Sequence, residues 1–170
     1  SISLDTPLGK FVVTGDWKLD QSIPYQPATD LQTFADLGRD GVTALFGDST
    51  NAEVDGYSTS EAEVKAGIED VVSDAPGRVV VAQFSSNIHR LQGLLDVAHN
   101  HGRKVLLLGY SLRSSFDLGL EQGFVDLPED DLMVKPHEAR KLPDDELLVI
   151  STGSQAEPRA SLSRLALDEH

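Results

Sequence analysis

Two carboxylates occupy positions where chemistry is expected. Asp16 lies in Thr14-Gly15-Asp16-Trp17-Lys18, and Asp48 opens Asp48-Ser49-Thr50-Asn51-Ala52-Glu53 after Gly47. Each follows an apolar run, Phe11-Val12-Val13 in the first case and Val42 to Phe46 in the second. A carboxylate at the end of a buried strand is a hard oxygen ligand for a metal, or an acceptor for a buried donor. The local alternative for Asp16 is a turn aspartate that bonds its own backbone. A second kind of site is suggested by Ser85-Ser86-Asn87, Gly109-Tyr110-Ser111 and Thr152-Gly153-Ser154. Each joins an apolar run to a helical pattern. Small residues let backbone N–H groups approach an anion, and a helix N-terminus favours negative charge. Three such loops along one sheet edge suit a phosphate backbone, whereas any one taken alone reads first as a helix cap. Arg90 can pair with phosphate through both ends of its guanidinium, or with Asp96 or Glu53. His89, beside it in the first turn of the helix, reads locally as a histidine bonded within the loop.

These residues need elements to position them. Lys10 to Val13 reads as a strand and Pro24 to Pro27 as an extended linker. Asp30 is placed to cap a helix bearing Leu31, Phe34, Ala35 and Leu37, which Gly38 and Gly41 end. Val42 to Phe46 is the next strand, and Gly56 marks a turn. Ser60 and Glu63 form a capping-box pattern before a helix with Val64, Ile68, Val71 and Val72 on one face. Strand and helix then alternate. Arg78 to Phe84 is followed by a helix opened by Asn87, with Leu91, Leu94, Leu95 and Ala98 inward. Val105 to Leu108 is followed by a helix over 113–122 that Gly123 closes. Leu147 to Ile150 is followed by a helix over 157–167. Continuous apolar strands alternating with helices predict a parallel sheet covered on both faces. Residues 126–146, with Pro128, Pro136 and Pro143, read as a surface connection with a short helix near His137 to Lys141.

Composition sets the bounds. The 170 residues are 39% hydrophobic and 25% charged, as in an ordinary globular domain. No apolar run approaches the roughly 20 residues of a membrane span, so no membrane partner is expected. The start lacks a basic stretch followed by a long apolar one, so no secretory signal is expected. The absence of cysteine excludes disulfides and thiolate metal sites, and fits a cytoplasmic location. A net charge of −14 opposes nonspecific nucleic-acid binding by the whole surface. A local basic groove around Lys18, Arg90, Arg103, Lys104 and Arg113 remains compatible with it. His99 and His101 form an HxH pair, but at a helix end before Gly102, where positive charge is favoured without any metal. His137 and His170 carry no signal. Trp17 reads as core or groove wall, since one aromatic does not make a stacking stripe.

The segments around Asp16 and Asp48 resemble the metallo-β-lactamase nucleases of the β-CASP group, ribonuclease J in particular. The resemblance continues through Phe84-Ser85-Ser86-Asn87-Ile88-His89-Arg90, Gly102-Arg103-Lys104-Val105 and Thr152-Gly153-Ser154-Gln155-Ala156-Glu157-Pro158, in order, from about Thr6 onward. It implies an α/β fold in which the end of a metallo-β-lactamase-type sheet, residues 1–53, precedes most of a Rossmann-like β-CASP domain, residues 54–170. The boundary is expected near Asn51 to Gly56. The resemblance makes Asp16 a metal-bridging catalytic aspartate and Asp48 a supporting active-site group. It makes Ser85, Ser86, Asn87, His89, Arg90, Gly153 and Ser154 candidates for binding RNA or its phosphate. It implies zinc as cofactor, with manganese or magnesium as substitutes. It further implies 5′-monophosphorylated RNA as partner, exonuclease and endonuclease activity, and a homo-oligomer at full length. The family's His-x-His-x-Asp-His motif does not occur here, so the chain reads as an internal piece of an enzyme, inactive alone. Other departures are Val13 where the family usually has His, Tyr110-Ser111-Leu112 for Arg-Ser-Met, and Ala156 for Gly. The alternatives are a non-catalytic RNA-binding or scaffold protein with this fold, and a relative that cuts DNA.

Overall fold

The computed structural model describes residues 1–23, 25 and 27–167. The linker expected over Pro24 to Pro27 therefore falls partly outside the described residues, as does His170. The chain divides into two compact units, Ser1–Ser60 and Glu61–His170.

The first unit is built on a three-stranded sheet in the order β1-β2-β3. Strands β1 (Ile2–Thr6) and β2 (Gly9–Gly15) form a hairpin, with Thr6 opposite Gly9. Thr6 stabilises the turn twice: its hydroxyl donates to the Gly9 carbonyl at 2.8 Å and accepts from the Leu8 N–H at 3.2 Å. Strand β1 is an addition to the sequence reading. All five of its residues are exposed, so it has no buried run to announce it. Helix α1 (Leu31–Asp40) is capped by Asp30, whose carboxylate accepts from the Thr33 N–H at 2.9 Å and hydroxyl at 2.6 Å. Gly38 lies inside the helix and Gly41 alone closes it, donating to the Leu37 carbonyl at 3.1 Å. Strand β3 (Ala44–Gly47) then pairs with β2 in parallel, Val12 opposite Leu45 and Val13 opposite Phe46. After a shift in register, Gly15 lies opposite Gly47.

The second unit is an all-parallel sheet in the order β4-β6-β5, formed by β4 (Val79–Ala82), β5 (Lys104–Leu108) and β6 (Leu147–Ser151). Every residue of β6 is buried, as befits a central strand with neighbours on both sides and side chains covered above and below. Alternation divides the apolar residues between two faces. Val79, Val105, Leu107, Leu148 and Ile150 join the larger core. Long helices cover that face: α2 (Glu61–Asp74), α3 (Ile88–Asn100) and α4 (Tyr110–Glu121) contribute Val72, Leu91, Leu94, Leu95, Leu112 and Phe116. Leu106, Leu108, Leu147 and Val149 face the opposite way. There the only helical cover among the described residues is α5 (Pro136–Ala139) and α6 (Ser161–Ala166), of four and six residues.

The strands expected over Val42 to Phe46 and Arg78 to Phe84 lie over Ala44–Gly47 and Val79–Ala82, and three helix boundaries also differ from the sequence reading. Helix α4 begins at Tyr110, three residues early, because Gly109 reaches φ 119° and turns the chain directly from strand into helix. Helix α6 begins four residues late, since Gln155 to Ala160 form turns held by Ala156 N–H to Gly153 and Ala160 N–H to Glu157 carbonyls. The short helix expected over 137–141 lies over Pro136–Ala139.

Candidate functional site

In the first unit, Asp16 and Asp48 leave the same ends of two adjacent parallel strands, directly after the Gly15–Gly47 pair. The buried Thr14 ties these exits together, its hydroxyl accepting from the Asp48 N–H at 3.0 Å. The Asp48 carboxylate is engaged by its own turn. Its Oδ1 accepts from the Thr50 N–H at 2.9 Å and the Thr50 hydroxyl at 2.7 Å. Those bonds, the backbone one foremost, hold its pKa below the ordinary carboxylate value, with lesser help from the Trp17 and Ser49 N–H groups. Asp16 is exposed. Trp17 packs against Phe34 of α1 with ring centroids 5.5 Å apart. Among the described residues, no three His, Asp or Glu side chains converge as a metal would require. The donor set present is one open carboxylate beside a carboxylate committed to its turn. That set does not fit a metal pair without ligands from elsewhere.

In the second unit, the loops after β4 and β6 leave adjacent strands. The last rung between them runs from the Gln83 N–H to the Ser151 carbonyl at 3.0 Å. Ser85, Ser86 and Asn87 follow on one strand, Gly153 and Ser154 on its neighbour, so the parallel pairing brings these sequence-remote loops to the same edge. Asn87 caps α3, its side chain accepting from the Arg90 N–H at 3.0 Å. Gly153 is required by space and conformation: at φ 113°, a Cβ would come within 2.8 Å of the Ala160 Cβ and 3.0 Å of the Leu162 Cβ. Gly109 is similarly confined, with the Thr152 hydroxyl 2.8 Å from where a Cβ would stand. Ala156 takes φ 58°, a left-handed conformation strained for any residue with a Cβ.

The same edge holds unsatisfied polar atoms. Gln83 is 2% exposed, yet neither its amide nitrogen nor its oxygen has a partner among the described residues. The Nδ1 of His89 is likewise buried and unpartnered. Stranding such groups costs about 1–3 kcal/mol each. Gln83 was not singled out from the sequence. It sits in an apolar run and declares itself only through burial.

The basic residues expected to line a groove are each engaged within their own unit; Arg113 donates from Nε to the Leu107 carbonyl at 3.1 Å. Arg103 is 4% exposed and points into the protein, donating to the carbonyls of Val72 (3.1 Å), Ala75 (2.7 Å) and Gly77 (2.8 Å). It closes the C-terminus of α2, where positive charge offsets the helix dipole. Lys104 pairs with Asp131 at 2.8 Å. Lys18, in the first unit, donates to the Thr59 carbonyl at 2.5 Å. Arg90 does not bind Asp96. It grips Glu61 with Nε at 3.2 Å and Nη2 at 2.8 Å, joining the starts of α3 and α2. Asp96 is occupied by Gln92 and Lys65 instead. His99 and His101 diverge to Glu129 and Glu69, each at 3.5 Å.

Residues 76–170 match the family model described as ribonuclease J, beta-CASP domain. The chain belongs to the ribonuclease J family. It is 38% identical over 169 residues to Ribonuclease J2 of Bacillus subtilis (strain 168), which covers 99% of this chain and 30% of that protein. It is 40% identical over 169 residues to Ribonuclease J of a Synechocystis species, covering 99% of this chain and 26% of the relative. It is 40% identical over 173 residues to Ribonuclease J of Sinorhizobium meliloti, covering 99% of this chain and 30% of the relative. The chain thus spans about a third or less of the length of the ribonuclease J proteins it matches. The parallel α/β layer of the second unit is consistent with the β-CASP assignment. No helix among the described residues is long and apolar enough to cross a membrane.

Proposed function

We propose that this chain is the segment of a metal-dependent ribonuclease that receives the RNA backbone and supplies one carboxylate to the catalytic centre. The β4 and β6 exits form the receiving edge. Ser85, Ser86 and Ser154 offer hydroxyl donors, and the backbone N–H groups around Asn87 and Gly153 add dipoles suited to a phosphate oxygen. The observation that carries this reading is the unpartnered polar set at that edge, the Gln83 amide and the His89 Nδ1. Buried polar atoms without protein partners take their hydrogen bonds from water, an ion, a ligand or further chain. Arg90 contributes charge only by leaving its Glu61 pair. In the first unit, Asp16 supplies one oxygen ligand, and the remaining ligands come from histidines elsewhere in the longer polypeptide. Zinc is the metal proposed. Held by Asp16 together with ligands from elsewhere, it would supply Lewis-acid polarisation of a phosphodiester. Asp48, fixed by Thr50 and Trp17, positions the strand end from which Asp16 projects.

The test is RNA degradation by the full-length protein with zinc or manganese. Asp16→Asn should lower the turnover of 5′-monophosphorylated RNA by roughly 10- to 100-fold, the scale seen when groups around a metal are lost. Residues 1–170 alone should show no turnover. Full activity in the Asp16→Asn enzyme would remove Asp16 from the centre. RNA binding without cleavage by the intact wild-type protein would favour the scaffold alternative, and cleavage confined to DNA the DNA-cutting one.

A further inference from the structure

Parallel pairing carries the receiving edge one strand further. β5 lies beside β6, and the Thr152 N–H donates to the Leu108 carbonyl at 3.3 Å. The β5 exit therefore stands next to the β6 exit, about 4.8 Å along the same edge. The two exits touch: a Cβ on Gly109 would stand 2.8 Å from the Thr152 hydroxyl and 3.1 Å from that of Ser161. Two hollows open there. One is an arginine basin of about 950 Å³ whose wall includes Tyr110 and Ser111, and the other, of about 470 Å³, is lined by Gly153 and Glu157. Thr152 and Arg159 line both. Three of the basin's arginines are already engaged. Arg78 pairs with Asp144 at 2.7 Å, Arg113 donates to the Leu107 carbonyl at 3.1 Å, and Arg164 has a partner of its own. Arg140 and Arg159 make no hydrogen bond or ion pair with a described residue, and of these two only Arg159 borders the Gly153 loop. Tyr110 is 88% exposed and packs against no other ring among the described residues.

We propose that Arg159 and Tyr110 form a subsite for the RNA nucleotide that follows the one whose phosphate the β4–β6 edge receives, an inference that rests on the function proposed above. The two side chains offer complementary contacts. The guanidinium presents paired N–H donors to the oxygens of an internal phosphodiester. The Tyr110 ring presents a flat face to the base beside that phosphate, and such stacking accepts any base. Arg159 gives up no internal partner in doing so, whereas Arg90 reaches phosphate only by leaving Glu61. A free phosphate or a peptide carboxylate would use Arg159 and leave Tyr110 idle; a single strand of RNA uses both. With a net charge of −14, the chain does not draw RNA by its overall field, so local contacts of this kind must hold the strand.

The experiment measures binding of a short 5′-monophosphorylated RNA to the full-length protein by fluorescence anisotropy, under chelation and over a range of salt concentrations. Adenosine 5′-monophosphate, added as competitor, reports on the receiving edge alone. Tyr110→Ala and Arg159→Ala should each weaken RNA binding about tenfold. Arg159→Ala should also flatten the slope of log affinity against log salt by about 0.7, the share of one phosphate contact on a single strand, while Tyr110→Ala leaves it unchanged. Arg159→Lys should restore the slope, and Tyr110→Phe, which keeps the ring, should bind RNA as wild type does. Competition by adenosine 5′-monophosphate should stay within about twofold of wild type in every variant. Both residues are exposed, so melting temperatures should stay within about 2 °C of wild type. Wild-type RNA affinity in either alanine variant, an unaltered slope in Arg159→Ala, or an equal loss of adenosine 5′-monophosphate binding would overturn the subsite. Ser154→Glu separates this inference from the reading beneath it. If Ser154→Glu weakens RNA binding and the Tyr110 and Arg159 variants do not, the subsite fails and the receiving edge stands. If wild type binds no RNA, or Ser154→Glu binds it equally well, the receiving edge fails and the subsite with it.

Discussion

Replacing Arg103 tests the claim that a residue in a basic-looking turn serves the fold rather than the RNA. Its guanidinium makes three hydrogen bonds of 2.7–3.1 Å to carbonyls at and beyond the end of α2, in a site that leaves it 4% exposed. Bonds from a charged donor contribute about 1.5–3 kcal/mol each. Their sum is reduced by the cost of desolvating the cation, which is several kcal/mol. Arg103→Met keeps much of the volume but strands three acceptors, so the expected loss is about 3–5 kcal/mol. That is a large part of the roughly 5–15 kcal/mol that stabilises a domain. Arg103→Lys keeps the charge but not the fork, and should lose about 2 kcal/mol as one or two carbonyls go unserved. Urea unfolding of the 170-residue chain, followed by far-UV circular dichroism, gives the readout. With a slope near 1.5 kcal/mol/M, Arg103→Met should lower the midpoint by about 2 M or more. Burial shields the interaction from ions, so the difference should persist in high salt. A midpoint shift below about 0.5 M, or a shift that vanishes in salt, would refute the reasoning and return Arg103 to the surface.

Further outcomes follow from single residues. Ala156→Gly should stabilise the chain slightly, since relief of about 1–2 kcal/mol of left-handed strain exceeds the roughly 0.4–1 kcal/mol by which glycine loosens the unfolded chain; a lower urea midpoint would contradict the φ of 58°. Gly153→Ala should broaden or shift amide resonances from Thr152 to Leu162, because its Cβ meets Ala160 and Leu162; an unchanged spectrum would contradict that packing. The Asp48 carboxyl should titrate below the ordinary aspartate value, because Thr50 bonds its ionised form. Its contribution to the turn is therefore fully present above the unfolded-state value and lost as pH falls through the depressed one. Carbon-detected NMR would show this as loss of the Thr50 amide signature only in that acidic range, and titration at or above the ordinary value would contradict it.

The parts legible in the sequence were those whose signals are local. Val105 to Leu108 and Leu147 to Ile150 are continuous apolar runs, and both became strands buried in a parallel sheet. Asp30 and Asn87 were readable as caps because a cap acts three residues away. Strand β1 escaped because an exposed edge strand needs no apolar run. Arg103 was misread because Gly102-Arg103-Lys104 looks like a solvated turn, while the α2 end that draws it inward lies some thirty residues upstream. The same distance problem hid Gln83 and the arginine basin. Both arise from which strands neighbour each other, and the order β4-β6-β5 is not written in any local spacing. Arg90 was placed correctly on α3 but given the wrong carboxylate in Asp96, since Glu61 reaches it only once α2 packs alongside.

The measurement that bears most directly on the proposed function is the affinity of the full-length protein for a short 5′-monophosphorylated RNA. Fluorescence anisotropy would compare wild type with Ser154→Glu, under chelation to prevent cleavage. Ser154 is exposed at the β6 exit, so a carboxylate there should leave the fold intact and repel the phosphate. The account predicts binding weakened about tenfold or more, equivalent to ~1.4 kcal/mol, with a melting temperature within about 2 °C of wild type. Equal affinity for the two proteins, at equal stability, would contradict it.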